Sequence, residues 1–320
     1  MQVPIELSHP CYHDEDAARI QLESIRWPEG PYCPICGAFD TVRRYGGKAM
    51  GDGWYWCTPC RRKFTVRVGS IFHRSHVPLH KWLLAFRLMA GSKKGFSAHQ
   101  LHRTLDVDYK TAWFLEHRIR ECMDDDADGP IGGDGKTVEA DETFVNKQIG
   151  RGKWVYSNER GWVKVRERYS LAAFALVERG GKARAMPLGS TSADDLRRAL
   201  KRHADTKSAL MTDELPGYRT PGREFASHDT VNHSIEEWTR ETDQGRTAGT
   251  QHVENFFSVV KRGMRGVYQH CSEKHLARYL HEFAFRYSNR SALGIEDAER
   301  TTMAIRGADG KRLTYRRTGR

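Results

Sequence analysis

Four cysteines constrain the fold of this chain more than any other feature. CPIC (Cys33, Cys36) and CTPC (Cys57, Cys60) are separated by twenty residues, the upper limit of the spacing at which two C-x2-C knuckles close one tetrahedral zinc site. The metal then supplies folding energy that so short a segment could not draw from a core. Gly37, directly after the first pair, permits the tight turn such a knuckle needs. WYWC and RRKFTVRVGSIF read as strands, so residues 31–75 are expected to form a β zinc ribbon around one structural Zn²⁺. Redox motifs or disulfides are disfavoured, because nothing nearby reads as a βαβ unit and the other three cysteines, Cys11, Cys122 and Cys271, stand alone. Arg61, Arg62, Lys63 and Arg67 make the far edge basic, as a phosphate-contacting surface would be.

Composition points to a polyanionic partner. Lys and Arg number 52 against 41 Asp and Glu among 320 residues, a formal charge of +11. The N-terminus lacks a secretory pattern, and no apolar run reaches the roughly eighteen residues of a membrane span. A cytosolic protein with no membrane partner is expected.

Residues 1–30 read as a helical segment with Ala17, Ile20, Leu22 and Ile25 on its apolar side, ended by Trp27-Pro28. Residues 76–123 switch to helical periodicity. Pro78 starts a helix with Leu79, Trp82, Leu83, Phe86 and Met89 inward; Ser97 and Gln100 make a capping box; Asp108 caps a third helix. On that third helix Ala112, Leu115, Ile119 and Met123 are expected inside, with Lys110, His117, Arg118 and Arg120 outside. A basic second helix after a tight turn suggests a helix-turn-helix-like DNA-binding unit, and a plain three-helix packing unit fits the region equally well. Residues 124–135, DDDADGPIGGDG, read as a linker.

Residues 136–290 read as α/β. KTVEADETFV is a strand with Asp141 near its middle; YSLAAFALVE and ARAMPLGS pair antiparallel across Gly180-Gly181; Ser192 caps a helix; SALMTDELPG is a strand ending at Asp213. A further strand is expected at 225–231, and residues 146–168 form a long basic loop or extended hairpin. QHVENFFSVVKRGMR then reads as a helix with Val253, Phe256, Phe257 and Val260 buried and Glu254, Ser258 and Lys261 on another sector. By itself that sector suits a surface Glu254–Lys261 contact. KHLARYLHEFAFRYSNR is a last amphipathic helix, and residues 291–320 read as a basic, solvated tail.

Three strands, a helix, a strand and a helix, with acidic residues at these places, follow the order of a ribonuclease H-like domain. Oxygen ligands at one sheet edge suit hard divalent ions acting on a phosphodiester. Alternatives stay open: Glu142 replaces Asp141 if the register slips by one, and Asp213 caps the turn at Pro216. Successive strand residues face opposite sides, so only one of Asp141 and Glu142 is expected to point at the site. His228 and His233 lie upstream of the Glu254 helix, either approaching the site or filling polar surface.

CPICG, WCTPCRRKFTVRVGSIF, KTAWFLEHRIRECM, VEADETFV, LMTDELPGYR, HVENFFSVVKRGMRGVYQH and KHLARYLHEFAFRYSNR occur in order from about residue 15 to residue 290. In this the chain resembles the DDE-type transposases of bacterial insertion sequences with an N-terminal zinc ribbon, the ISXO type. The resemblance implies Asp141, Asp213 and Glu254 as ligands of two Mg²⁺ (or Mn²⁺) ions and Lys261 as the accompanying lysine. It also implies double-stranded DNA as partner, both element ends and target; from the placement of basic residues, the contacts expected are Arg61, Arg62, Lys63, Lys110, Arg118, Lys261 and Arg262. The expected activity is magnesium-dependent strand cleavage and strand transfer at terminal inverted repeats, by a homodimer or higher oligomer on the bacterial nucleoid. Two other readings are a DNA-binding regulator derived from an inactive transposase and a ribonuclease H-like nuclease without strand transfer.

Overall fold

The computed structural model describes residues 2–47, 50–124, 129–149, 153–157, 161–165, 168–243 and 245–314. In chain order it contains α1 (Glu15–Arg26), β1 (Val42–Arg44), β2 (Trp54–Cys57), β3 (Arg62–Thr65), α2 (Leu79–Gly91), α3 (Ala98–Leu105) and α4 (Tyr109–Cys122). There follow β4 (Ile131–Gly132), β5 (Thr137–Ile149), β6 (Lys153–Ser157), β7 (Gly161–Val165), β8 (Arg168–Glu178), β9 (Ala183–Leu188), α5 (Ala193–His203), β10 (Ala204–Asp205) and β11 (Ala209–Thr212). Last come α6 (Arg219–Gly222), β12 (Ser227–Thr230), β13 (Thr239–Glu241), β14 (Thr247–Gly249), α7 (Gln251–Gly263), α8 (Glu273–Ser288) and α9 (Asp297–Arg306). Two units result, one of Met1–Asp124 with Asn289–Arg320, the other of Asp125–Ser288. Among the described residues no helix is long and apolar enough to cross a membrane.

In the first unit, Asp14 caps α1 by accepting from the Ala17 amide at 2.7 Å. The helix buries Ala18, Leu22 and Ile25, whereas Ile20, expected on the apolar side, is exposed. β1, β2 and β3 form an antiparallel meander. Trp27 anchors it edge-on, its ring 5.2 Å from Tyr55 and 6.0 Å from Phe64. In α2 the expected apolar residues are all buried, and the Ser97–Gln100 capping box is present at the start of α3. Asp106 adopts a left-handed conformation (φ 49°) that ends α3, and Asp108 caps α4.

Two expectations for this unit fail, both through packing. His117, Arg118 and Arg120 of α4 are buried, not outside. α4 packs against α2, α3 and α9, so its covered surface is wider than one apolar stripe. The Arg118 guanidinium lies 5.2 Å over Trp82 and 5.6 Å over Phe114 and donates to the His73 carbonyl at 3.1 Å, and Arg120 pairs with Glu116 at 3.3 Å. The supposed solvated tail contains α9, which buries Ala298, Arg300, Thr301, Thr302, Ala304 and Ile305. Val3 donates its amide to Thr302 Oγ1 at 2.9 Å, and Arg26 donates to Asp309 and to the Val66 carbonyl. The basic count hid a short small-residue helix; residues 315–320 lie outside the described residues.

The second unit is organised by a five-stranded sheet of order β12-β11-β5-β8-β9, in which β5, β8 and β9 pair antiparallel while β11 runs parallel to β5 and β12 parallel to β11. Alternation along β8 assigns the faces: Leu171, Ala173, Ala175 and Val177 pack with Val253, Phe256, Phe257 and Val260 of α7 and Leu276, Leu280 and Phe283 of α8. Phe174 and Leu176 pack with Leu196 and Leu200 of α5 and with Tyr218. The expected linker is shorter than drawn, because Ile131 is buried and β4 pairs with β10; residues 125–128 lie outside the described ones. Of the 146–168 stretch, β5 extends to Ile149 and β6 pairs antiparallel with β7, while residues 150–152, 158–160 and 166–167 lie outside the described ones.

Candidate functional site

β2 and the turn after it bring Cys57 and Cys60 onto the knuckle of Cys33 and Cys36. The Cys33 and Cys60 sulfurs lie 3.9 Å apart and those of Cys36 and Cys57 3.6 Å. All four sulfurs fall within 4.8 Å of one another and none is in a disulfide. A tetrahedron of thiolates with Zn–S bonds of about 2.3 Å has edges of about 3.8 Å, so these side chains fit a zinc ion without rearrangement. Gly37 turns the first knuckle at φ 74°, donating its amide to the Cys33 carbonyl at 2.9 Å.

An acidic centre lies where β11 ends. Pairing of β11 with β5 stops at Met211↔Glu139, so Asp141 and Glu142 project beyond it beside Asp213, the residue after the strand. Oxygens of Asp141, Glu142 and Asp213 come within 4.8 Å of one another. The expectation that only one of Asp141 and Glu142 could reach the site is thus corrected. Asp141 lies opposite Ala175, on the α7 face, and Glu142 opposite Phe174, on the α5 face. With no described strand beside β5 on its β11 side at that level, the longer Glu142 side chain reaches the edge from the other side, where Tyr218 donates its hydroxyl to it. Asp213 also accepts from the Leu215 amide at 3.1 Å, so the carboxylate that lies close to Asp141 and Glu142 also caps the turn before Pro216.

Glu254 stands outside this trio of close oxygens but adds its negative charge to the field on Asp141. It is held from two sides: Thr250 Oγ1 donates to Glu254 Oε1 at 2.7 Å, and His233 Nε2 lies 3.3 Å from the same oxygen. His233 therefore approaches the site. His228 is one step back, its Nε2 2.9 Å from Thr212 Oγ1. Lys261 is half-buried on α7, seven residues and about 10 Å along the axis from Glu254.

What fixes Glu254 is a residue that the sequence reading passed over. Glu139, two residues before Asp141 on the same face of β5, is fully buried. It accepts from the backbone amides of His252 at 2.7 Å and Val253 at 3.1 Å, from His252 Nδ1 at 2.8 Å and from Arg179 Nε at 2.7 Å. Thr250, at the N-cap, makes no side-chain cap; the strand carboxylate caps α7 in its stead, where the helix dipole also favours negative charge. The signal was present in VEADE, whose Glu139 and Asp141 share a strand face at period two. Arg179 continues outward to the carbonyls of Thr247 at 2.6 Å and Gly249 at 3.1 Å. Tyr218 lies in the LMTDELPGYR stretch, with no local pattern that marks its contact with Glu142.

Electrostatically the acidic centre is uncomfortable without a cation. Burial, then the charges of Glu142 and Asp213, push Asp141 up to about 7. Burial also raises Glu142 despite the Tyr218 hydrogen bond, and raises Asp213 against the Leu215 amide hydrogen bond and, more weakly, His233. Burial and the Glu142 charge push the Tyr218 hydroxyl well above its ordinary range, keeping it a donor. Oxygen-only ligands with raised proton affinity are what a hard divalent ion relieves, so the residues fit such an ion.

Of the expected DNA-contacting residues, Arg61, Arg62, Lys63, Lys110 and Arg262 are exposed. Lys63 Nζ lies 5.4 Å over the Trp54 ring. Arg118 is buried at 6% exposure and is not part of an outward face.

Residues 132–288 match the ISXO2-like transposase domain, and residues 13–63 match the transposase zinc-ribbon domain. The chain is also 30% identical over 280 residues to an uncharacterized protein in transposable element ISH50 of Halobacterium salinarum, an alignment covering 83% of this chain and 88% of the relative.

Three outcomes follow from this geometry. Elemental analysis of purified protein is expected to give one zinc per chain, falling well below one in Cys36→Ser. Asp141 is more basic in the fold than unfolded, so protonation stabilises the fold; that contribution is complete below about pH 4 and is lost as pH rises through about 7. Asp141→Asn is therefore expected to stabilise the protein at pH 8 without added magnesium, by up to about 4 kcal/mol, and to melt close to wild type near pH 4; an equal gap at both pH values in thermal melts contradicts this. Glu139→Ala strands Arg179 and two helix amides and is expected to cost about 3–5 kcal/mol in urea unfolding, against less than 1 kcal/mol for a change at exposed Arg262.

Proposed function

The chain belongs to the ISXO2-like transposase family, and from that premise we propose that it cleaves DNA at the ends of its own element and joins them to a target, in a domain of ribonuclease H-like fold. The observation that carries the proposal is the meeting of Asp141, Glu142 and Asp213 at the end of β11, with Glu254 delivered beside them by α7. The sheet order β9-β8-β5-β11-β12, three antiparallel strands followed by two parallel ones, supports the fold. Asp141, Asp213 and Glu254, with Glu142 alongside, would hold magnesium, which when bound activates a water or 3′-hydroxyl and stabilises the leaving oxygen of the phosphodiester.

The protein's own contribution is orientation. Glu139 pins the start of α7, and Thr250 and His233 turn the Glu254 carboxylate. Tyr218 holds Glu142 from the opposite face. Lys261, on the sector of α7 that carries Glu254, is suited to a phosphate of the bound strand, as a point charge on a flexible stem. In the first unit, Arg61, Arg62 and Lys63 on the ribbon and Lys110 on α4 supply exposed cations for the phosphates of the element ends, and the turn between α3 and α4 suits a helix-turn-helix-like reader. Joining two ends at one target calls for at least two copies of the chain.

The experiment is a cleavage and joining assay with labelled DNA carrying the inverted repeats that flank the gene, in magnesium. Wild type is expected to nick the end and join it to a second duplex. Asp213→Asn and Glu254→Gln should lose at least a hundredfold in rate while retaining DNA binding. Cleavage without joining would favour a nuclease, and binding without cleavage by wild type would favour a regulator.

A further inference from the structure

We propose that the hairpin β6–β7 is a stacking platform for unpaired nucleotides of a DNA strand. The proposal rests on the DNA-processing reading above and names a contact that reading lacks. The register pairs Tyr156 with Trp162 and Trp154 with Lys164. Residues two apart on a strand and their cross-strand partners share a face, so three aromatic rings and one ammonium stand on one side of a two-stranded ribbon. Trp154, Tyr156 and Trp162 are 63%, 61% and 67% exposed. The Tyr156 and Trp162 rings touch edge to face at 5.7 Å, and the outer surfaces of all three remain available.

Two tryptophans and a tyrosine on so small a ribbon form an apolar surface that a partner should cover. Its chemistry is indicated by Lys164, exposed on the same face, and by the basic sequence to which the ribbon belongs. From 146 to 168 the sequence carries seven basic residues, Lys147, Arg151, Lys153, Arg160, Lys164, Arg166 and Arg168, against two acidic ones, Glu159 and Glu167. A second copy of the same face would meet like charge, whereas a partner offering flat π-surfaces on a polyanionic backbone matches both features at once. Intact duplex hides its base faces and repeats every 3.4 Å along a strand. Trp154 and Tyr156 are separated by about 6.6 Å along β6, a spacing that suits successive bases of a stretched single strand. β6 starts four residues after Ile149, the end of the strand that carries Asp141 and Glu142, so the platform continues the chain from the far end of that strand, eight residues beyond Asp141.

The test uses the full-length protein with its zinc. Fluorescence anisotropy measures binding to a labelled single strand of about sixteen nucleotides, to the same strand with abasic sites, and to the corresponding duplex. Wild type is expected to prefer the base-bearing strand over the abasic one. Trp154→Ala and Trp162→Ala should each weaken binding to the base-bearing strand roughly five- to a hundredfold, erase that preference, and leave duplex binding within about twofold. Lys164→Ala should lower the salt dependence for all three probes and keep the preference. Because the substituted residues are exposed, the variants are expected to melt with wild type. If wild type and the tryptophan variants bind the single strand equally while duplex binding persists, the platform is overturned and the transposase reading stands; if wild type binds none of the probes, nor DNA of its own element ends, the reading itself fails. If the variants instead dissociate a DNA-free oligomer seen by sedimentation, with no effect on the single strand, the face is a contact between copies and the proposal is wrong.

Discussion

A carboxylate that caps a helix from another element holds the second unit's site together. Glu139 is buried in the middle of a sheet, where an isolated charge would cost several kcal/mol, yet it meets two amide donors at the head of α7, an imidazole nitrogen and a guanidinium. Those contacts convert a liability into a fixed joint between β5 and α7. Asp141 lies two residues along the same strand and Glu254 lies in the first turn of the same helix, so the joint sets the relation between two acidic residues that are far apart in sequence. Thr250 is then free to orient Glu254 rather than cap its own helix. One buried interaction thus defines the geometry, and the apolar stripe of α7 holds it against the sheet.

The acidic centre carries the opposite tension. Where Glu139 is satisfied by donors, Asp141, Glu142 and Asp213 face one another with few, and their proton affinities rise. Fold stability and site chemistry pull apart here: a neutral side chain at Asp141 relieves the fold, while only ionised oxygens hold a hard cation. Tyr218 and His233 moderate the conflict from two sides without removing it, since a carboxylate fully paired by the protein would have little left for a ligand.

Much of this was legible in the sequence because it obeys short-range rules. The Ser97–Gln100 box, the Asp108 and Ser192 caps and the Val253–Val260 stripe each depend on residues within a turn or two of one another, and the two cysteine knuckles each on four consecutive residues. The misreadings arose where tertiary contacts decide. Alternation excluded Glu142 from the site, and only the early end of β11 lets it in. Arg118 and Arg120 read as surface cations because nothing local shows α2, α3 and α9 packing on α4. Glu139 read as one more strand residue because its partners lie 40 to 114 positions away. The ends of the chain misled for the same reason: a count of basic groups after residue 300 cannot reveal that Thr302 accepts from the Val3 amide.

That last contact bears on how the protein is made. Val3 with Thr302, and Arg26 with Asp309, join the first residues of the chain to nearly the last, and Asp125–Ser288 is inserted between the two parts of one unit. A ribosome delivers the complete insert before it delivers the second half of its host. The sheet with its acidic edge can therefore close while the zinc ribbon and α1 to α4 still await α9, and the part synthesised first is the part finished last. Vectorial synthesis thus leaves the surfaces that α9 covers bare for the whole time the insert is being made, so premature termination between Ser288 and the end of α9 damages the N-terminal unit rather than the one just completed.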